Sequence, residues 1–264
     1  MNPSTLRGLI VAVALLAVAG GGYYLWQQRR AVPAPEVLPT ASAPETQPSP
    51  QVGPAPESPA IASDSTALPS LAESDSLAGA ELDGLLDDST ISERIEHDAL
   101  IKRLVISLDS LPRGSIAQRF SPFRPLPGEL TVSGDDDSGF SLSAENYARY
   151  EPYVSAFERI DSDLLVATYR RFAPLMQQAY AELIAPQGYF DERLVEIIDH
   201  LLAVQVAAAP PQLARPSVMF QYADPALEGR SVGAKLLTRM GRDNAARVQS
   251  KLREIRPLLA RHSD

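Results

Sequence analysis

Three side chains that could bind a metal ion recur at four-residue intervals in the second half of the sequence. Glu192, Glu196 and His200 would lie on one face of a helix, because four residues are slightly more than one helical turn. A carboxylate site built on helices, however, places Glu and His three residues apart and takes further ligands from other helices. A solvated helix face explains the spacing better. We therefore predict no metal site and keep these three residues as the candidates for one.

A second group of side chains could bind an anion. The predicted last helix carries four polar residues within about 60° on one flank, uninterrupted by an acid, namely Arg242, Gln249, Arg253 and Arg256. A guanidinium binds a carboxylate or a phosphate through two parallel hydrogen bonds. We predict that this arginine strip docks an anionic partner or an acidic segment of the same chain. The alternative is a solvated flank without a partner.

The sequence contains no motif that specifies an enzyme reaction or a cofactor. It has no GxSxG, Walker, SxxK or HExxH pattern. A calcium loop starting at Asp135 would put Asn146 where a bidentate Glu is needed, so we predict a solvated acidic turn there. Because the chain has no cysteine, disulfides, thiolate ligands and cysteine nucleophiles are excluded. We predict no catalytic residue and no cofactor.

The charge balance limits the class of partner. The chain has 264 residues, a formal net charge of −9 and a sequence pI near 4.9. Proteins bind the phosphates of nucleic acids through clustered cations. We therefore predict that nucleic acid is not a partner.

An apolar run near the N-terminus predicts one membrane-spanning helix. Residues 9–26 read LIVAVALLAVAGGGYYLW and lie, without a charge, between Arg7 and Arg29. As a helix the run would be roughly 27 Å long, close to the hydrocarbon thickness of a bilayer. Its aromatic end suits the headgroup region. We predict a single-pass anchor over residues 1–30, and the alternative is a cleaved signal peptide.

The next segment, residues 31–69, predicts a disordered linker. It carries ten prolines and no Lys, Arg or aromatic residue. Such a segment cannot bury enough apolar surface to fold, and its reach would lie between roughly 35 and 120 Å. Bacterial envelope proteins use spacers of this composition, so we expect an inner-membrane anchor and a periplasmic C-terminal domain. The positive-inside rule favours a cytoplasmic domain by a single charge and remains the alternative.

Residues 70–264 are predicted to form one soluble domain, mostly helical with a small antiparallel sheet (α+β). Apolar residues at helical spacing predict seven helices, at about 71–86, 89–111, 146–160, 161–185, 190–204, 231–240 and 242–260. Alternating residues predict a hairpin with strands 130–132 and 140–142, and a single strand at 218–222 that could pair with it. Pro174 predicts a kink in its helix.

Three segments of this domain resemble a known family. They are NYARYEPYV from Asn146, YFDERLVEIIDHLL from Tyr189 and ADPALEGRSVGAKLLTRMGRDNAARVQSKLREIR from Ala223. With the anchor and the linker, they resemble a proteobacterial family of membrane-anchored proteins whose C-terminal domain has no assigned function. The resemblance extends over roughly residues 70–260. It implies a bacterial envelope protein, and it implies no reaction, ligand or catalytic residue.

A tether followed by a domain without convergent polar motifs favours a non-enzymatic interaction or scaffold protein. The expected partners are the membrane and an envelope protein or another anionic molecule. One alternative is a hydrolase or transferase that acts on an envelope polymer through carboxylates that the sequence does not locate. A pocket lined by paired acids would favour that enzyme. A third hypothesis is a metal-dependent sensor built around His200.

Overall fold

The computed structural model describes residues 68–115, 118–126, 128–216 and 220–260. The predicted anchor, and the predicted linker as far as residue 67, lie outside the described residues. Within the described ranges, no helix has both the length and the apolar character that a membrane span requires. What the structure describes is therefore the predicted C-terminal domain.

Helices dominate this part of the chain. They are α1 (Asp75–Leu86), α2 (Ser89–Ser92), α3 (Leu100–Ser110), α4 (Glu145–Ala148), α5 (Glu151–Arg159), α6 (Ser162–Leu183), α7 (Phe190–Leu202), α8 (Pro225–Glu228), α9 (Val232–Met240) and α10 (Arg242–Ala260). The strands are β1 (Val132–Asp135), β2 (Gly139–Leu142), β3 (Gln212–Ala214) and β4 (Gln221–Tyr222). The prediction of a mostly helical domain with a small antiparallel sheet is confirmed.

Helix α3 lies inside the domain, where it packs against α1, α6 and α7. Its buried residues are Leu100, Ile101, Leu104, Val105, Ser107, Leu108, Asp109 and Ser110. The facing helices contribute large apolar side chains such as Phe172 and Phe190, which are almost fully buried. Helix α10 covers α5, α6 and α7. These helices, including α1, share one hydrophobic core.

The N-terminus of α3 is capped by a side chain from α1. The Asp75 carboxylate accepts hydrogen bonds from the backbone N–H groups of Ala99 at 2.8 Å and Leu100 at 2.9 Å. Ala99 has a φ of 50°, a left-handed conformation that is uncommon for a residue with a Cβ. The carboxylate thus satisfies N–H groups that a helix start leaves unpaired, and its charge suits the positive end of the helix dipole.

The buried carboxylate of Asp109 holds the other end of α3 to α7. Its side chain is only 3% exposed, and Arg193 of α7 donates from Nε to Oδ1 at 2.8 Å. The guanidinium of Arg113 contacts Oδ2. A buried charge that loses its partner is strongly destabilising. This ion pair therefore fixes α7 against α3.

Backbone hydrogen bonds connect the chain just after α3 to the start of α9. The Gly233 N–H donates to the Leu111 carbonyl at 2.8 Å, and the Val232 N–H donates to the Arg113 carbonyl. A Cβ on Gly233 would lie 2.5 Å from a methyl carbon of Leu201 and 3.1 Å from the Leu111 carbonyl oxygen. Only glycine allows this close approach.

The prediction of one continuous helix from about residue 89 to 111 is wrong. The chain forms α2, then an extended segment, and then α3. Ile95 is buried, as its spacing predicted, but it forms an antiparallel bridge with Phe123. Next to the bridge, the Arg124 N–H donates to the Arg94 carbonyl at 2.9 Å. Local periodicity does not reveal this pairing, because the partner lies far away in the sequence.

The four strands form one antiparallel sheet in the order β1-β2-β3-β4. The predicted hairpin is present, and its register pairs Val132 with Leu142 and Asp135 with Gly139. Its first strand begins two residues later than predicted. The acidic turn is closed by the Asp135 carboxylate, which accepts the Ser138 N–H at 2.7 Å.

The predicted pairing of strand 218–222 with the hairpin is wrong. Strand β4 pairs instead with β3, and β3 pairs with β2. The sequence analysis missed β3, because three residues that follow two prolines are too few to reveal an alternating pattern. Leu142, Leu213 and Tyr222 form a small second apolar cluster on this sheet.

The other predicted helices are present with changed boundaries. The predicted helix 146–160 is divided into α4 and α5. Helix α6 starts as predicted, since the Asp161 carboxylate accepts the Leu164 N–H at 2.8 Å. Pro174 lies inside α6, and a kink there stays a prediction. Gly241 separates α9 from α10 as expected.

The Asp75 cap makes a prediction about stability. Asp75→Ala should lower the free energy of unfolding by about 1–2 kcal/mol, because two N–H groups at the start of α3 lose their acceptor. Chemical denaturation followed by circular dichroism measures this change. Asp98→Ala is the matched control, since the Asp98 side chain is 87% exposed. Equal stability of the two variants would contradict the capping role.

Candidate ligand-binding cleft

A cleft of about 710 Å³ lies between α2, the extended segment after it and the start of α5. This volume is within the usual range for ligand sites. Three arginines, Arg94, Arg124 and Arg149, contribute to its lining. We call it the arginine cleft.

Two of these arginines come from the paired extended segments. The guanidinium of Arg94 donates to the Pro125 carbonyl. Arg124 donates from Nε to the Glu96 carboxylate at 3.0 Å, and its side chain remains 57% exposed. The backbone pairing beside the Ile95–Phe123 bridge thus brings two cations to one surface.

The third arginine is fixed by the loop before the hairpin. Arg149 donates to the carbonyls of Glu129 at 2.9 Å and Gly128 at 3.1 Å. The buried Asn146 holds the same loop, because its carboxamide oxygen accepts the Thr131 N–H at 3.1 Å. These contacts place the Arg149 side chain at the start of α5.

Tyr153 of α5 is the buried aromatic residue of the lining. Burial raises the pKa of its hydroxyl, while the charge of Arg94 and a hydrogen bond with Arg94 lower it. The Nε of Arg94 is buried and has no hydrogen-bond acceptor among the described residues. An unpaired buried donor costs about 1–3 kcal/mol.

Two acids also line the arginine cleft. The Asp88 carboxylate is used as the N-cap of α2, where it accepts the N–H groups of Thr90 at 3.1 Å and Ile91 at 3.3 Å. Glu93 is exposed. Since three cations face two acids, one of which is a helix cap, the lining carries a positive surplus.

Sequence reasoning missed all three arginines of this cleft. They come from three separate segments and share no spacing, so no motif or helical wheel groups them. The stretch around Arg124 contains three prolines between residues 122 and 127, a composition that indicates only irregular structure. The structure alone shows that it pairs with the segment before α3.

The metal candidates lie on α7 as predicted, but they do not form a shared site. Glu196 accepts from Arg193 at 2.9 Å, and His200 Nε2 lies 2.8 Å from Ser231 Oγ. In the chain from 68 to 260, apart from the three short undescribed gaps, no three His, Cys, Asp or Glu side chains are grouped to hold a metal ion. Burial, and secondarily the Arg193 charge, lowers the pKa of His200.

A second cleft of about 520 Å³ is lined by acids. Asp191, Glu192 and Glu196 border it, together with Tyr169 and Arg170. The Tyr169 hydroxyl donates to Asp191. Burial, and next the hydrogen bond with Asp191, raises the pKa of Tyr169. Two of the three carboxylates are therefore held by neighbouring side chains, since Glu196 accepts from Arg193.

The predicted arginine strip lies on α10, and half of it contacts α7. Gln249 donates to the Leu201 carbonyl at 2.9 Å and the Val204 carbonyl at 2.8 Å. Arg256 binds Asp199 through two nitrogens. Arg242 and Arg253 are exposed, and Arg242 borders another cleft beside Gly241. The anion that Arg256 binds in the structure is thus a residue of the same domain.

Comparison with known protein families identifies a family for this domain. The model of a family described as "Protein of unknown function (DUF3014)" matches residues 100–256, more than half of the chain. No curated protein and no solved structure matches significantly. Arg124, Arg149 and Tyr153 lie inside the matched range, whereas α1, α2 and Arg94 precede it.

The lowered pKa of His200 predicts a pH effect on stability. The unfolded chain binds this proton at a higher pH than the folded chain, so the contribution is complete above about pH 6.5 and is lost as pH falls. The melting temperature should therefore fall less between about pH 7.5 and 5.5 in His200→Gln than in wild type. His97→Gln, which removes a 45% exposed imidazole whose Nε2 lies 3.5 Å from the Asp83 carboxylate, is the control and should not reduce the fall. A wild-type pH response in His200→Gln would contradict the prediction.

Proposed function

We propose that this chain, which belongs to the DUF3014 family of proteins of unknown function, is a membrane-anchored interaction module. Its C-terminal domain binds an anionic partner, and the arginine cleft is the docking surface. The module acts without catalysis, as a scaffold in the bacterial envelope. The observation that carries the proposal is the grouping of Arg94, Arg124 and Arg149 around one cleft.

The local charge supports an anionic partner. The whole chain has a net charge of −9, so a lining with a positive surplus stands out from the rest of the molecule. Complementary charge increases the association rate and the specificity of binding. Arginine is also among the residues that most often dominate binding energy at interfaces, and three arginines line the cleft.

The arginine cleft is a better docking surface than the arginine strip on α10. In the strip, Gln249 and Arg256 already bind groups of α7, and these contacts fix α10 to the rest of the domain. A partner that used them would have to replace internal hydrogen bonds. At the cleft, the pair between Arg124 and Glu96 uses only the Arg124 Nε, and the side chain is 57% exposed, so its terminal N–H groups can bind a partner while that pair is kept.

The sequence before the domain supports the anchoring part of the proposal. Residues 9–26 suit one membrane span, and residues 31–69 suit a flexible spacer. A tether of this length would let the domain meet a partner away from the bilayer. With a periplasmic domain, that partner would be an envelope component.

One reagent tests the location and the docking surface together, because the chain has no cysteine. Thr90→Cys places a single thiol on an exposed residue of the cleft lining. A membrane-impermeant, photoreactive maleimide is added to cells whose outer membrane has been permeabilised. We expect labelling in these cells, followed by light-dependent capture of a partner.

Arginine substitutions added to the Thr90→Cys protein then test whether the cleft is the docking surface. Arg94→Gln with Arg124→Gln should abolish capture, and Arg242→Gln with Arg253→Gln is the matched control that should keep it. If the first pair lowers the melting temperature, Arg124→Gln alone is used, because this side chain is exposed. Labelling only after lysis of the inner membrane would refute the orientation. Capture that survives loss of the cleft arginines would refute the docking surface.

A further inference from the structure

We infer that the ligand of the arginine cleft is a carboxylate-rich peptide segment rather than a phosphate group. This inference rests on the proposed function and names the chemistry that the site recognises. Three features of the lining discriminate between the two kinds of anion. They are the mixture of cations and acids, the capped helix start and the apolar surface.

The first feature is that hydrogen-bond acceptors stand beside the donors. Glu93 and Asp88 line the same cleft as the three arginines. An ionised phosphate offers no N–H group that could pair with these acids. A peptide offers backbone N–H donors for the acids as well as side-chain carboxylates for the guanidiniums. The mixed lining therefore matches an acidic peptide.

The second feature is the start of α2. Free N–H groups at a helix start are a common binding site for phosphate. Here the Asp88 carboxylate already accepts the N–H groups of Thr90 and Ile91. The negative charge of this cap occupies the position where a phosphate would bind. The donors of the cleft that could bind an anion are therefore its arginine side chains.

The third feature is the surface between the charges. Pro152 is exposed on the lining, beside the buried Tyr153. The Pro152 ring provides apolar area for the methylene groups of a peptide. The cleft volume of about 710 Å³ also exceeds what a single phosphate fills. Carboxylates spaced along an extended segment could reach arginines that come from separate parts of the chain.

Binding of defined probes to the full chain in detergent tests the inference. The probes are a fluorescent capped hexaglutamate peptide, the matching hexaglutamine peptide and inorganic pyrophosphate. Fluorescence anisotropy should show that hexaglutamate binds and that hexaglutamine does not. Arg94→Gln with Arg124→Gln should weaken hexaglutamate binding by at least about tenfold, because two guanidiniums that donate charge-assisted hydrogen bonds are lost. Arg242→Gln with Arg253→Gln should leave it unchanged.

The outcomes separate this inference from the proposed function. If pyrophosphate displaces hexaglutamate at concentrations below that of unlabelled peptide, the ligand class is wrong, while anion binding at the cleft stands. If neither hexaglutamate nor pyrophosphate binds but capture in cells still requires Arg94 and Arg124, only the inference fails. If neither hexaglutamate nor pyrophosphate binds and capture is also independent of Arg94 and Arg124, the inference and the proposed function both fail. Hexaglutamate binding that depends on Arg242 and Arg253 would move the site to the strip and overturn the inference.

Discussion

The burial of helix α3 is the constraint on which the rest of the domain depends. A helix leaves N–H groups at its start and carbonyls at its end without partners, and burying them unpaired is costly. The chain meets this requirement with groups from other elements. Asp75 of α1 binds the start, and the first N–H groups of α9 bind carbonyls just beyond the end. The buried Asp109 then requires Arg193 of α7. Helices α1, α7 and α9 are thereby positioned around α3.

The arginine cleft follows from the same constraint. Because α1 is tied to the start of α3, the chain between them must turn back, and it does so through α2 and the extended segment that contains Arg94. That segment pairs with the residues around Phe123, which brings Arg124 alongside. The family match begins at residue 100, after Arg94. The arginine cleft therefore combines residues inside the matched range with residues that precede it.

The sequence predicted the parts of the fold that depend on local spacing. Helix α7 buries Leu194, Ile197, Ile198 and Leu201, as its amphipathic pattern indicated. Sequence patterns did not predict the break before α3, because this break depends on Asp75 and Phe123, which are both distant in the sequence. For the candidate sites, a helical wheel grouped Arg253 with Arg256 but could not show that Asp199 binds Arg256. The arginine cleft was unpredictable for the same reason, since three separate segments form it.

Hydrogen exchange tests most directly whether α1 and α3 form one folded unit that carries the cleft. Amide exchange of the full chain, measured by mass spectrometry, reports the free energy of opening for each segment. Peptides from Asp75–Leu86 and Leu100–Ser110 should show similar protection and lose it together as denaturant is added. If α1 exchanges freely while α3 stays protected, the segment before residue 100 is not part of the fold. The cleft would then lack a fixed position for Arg94.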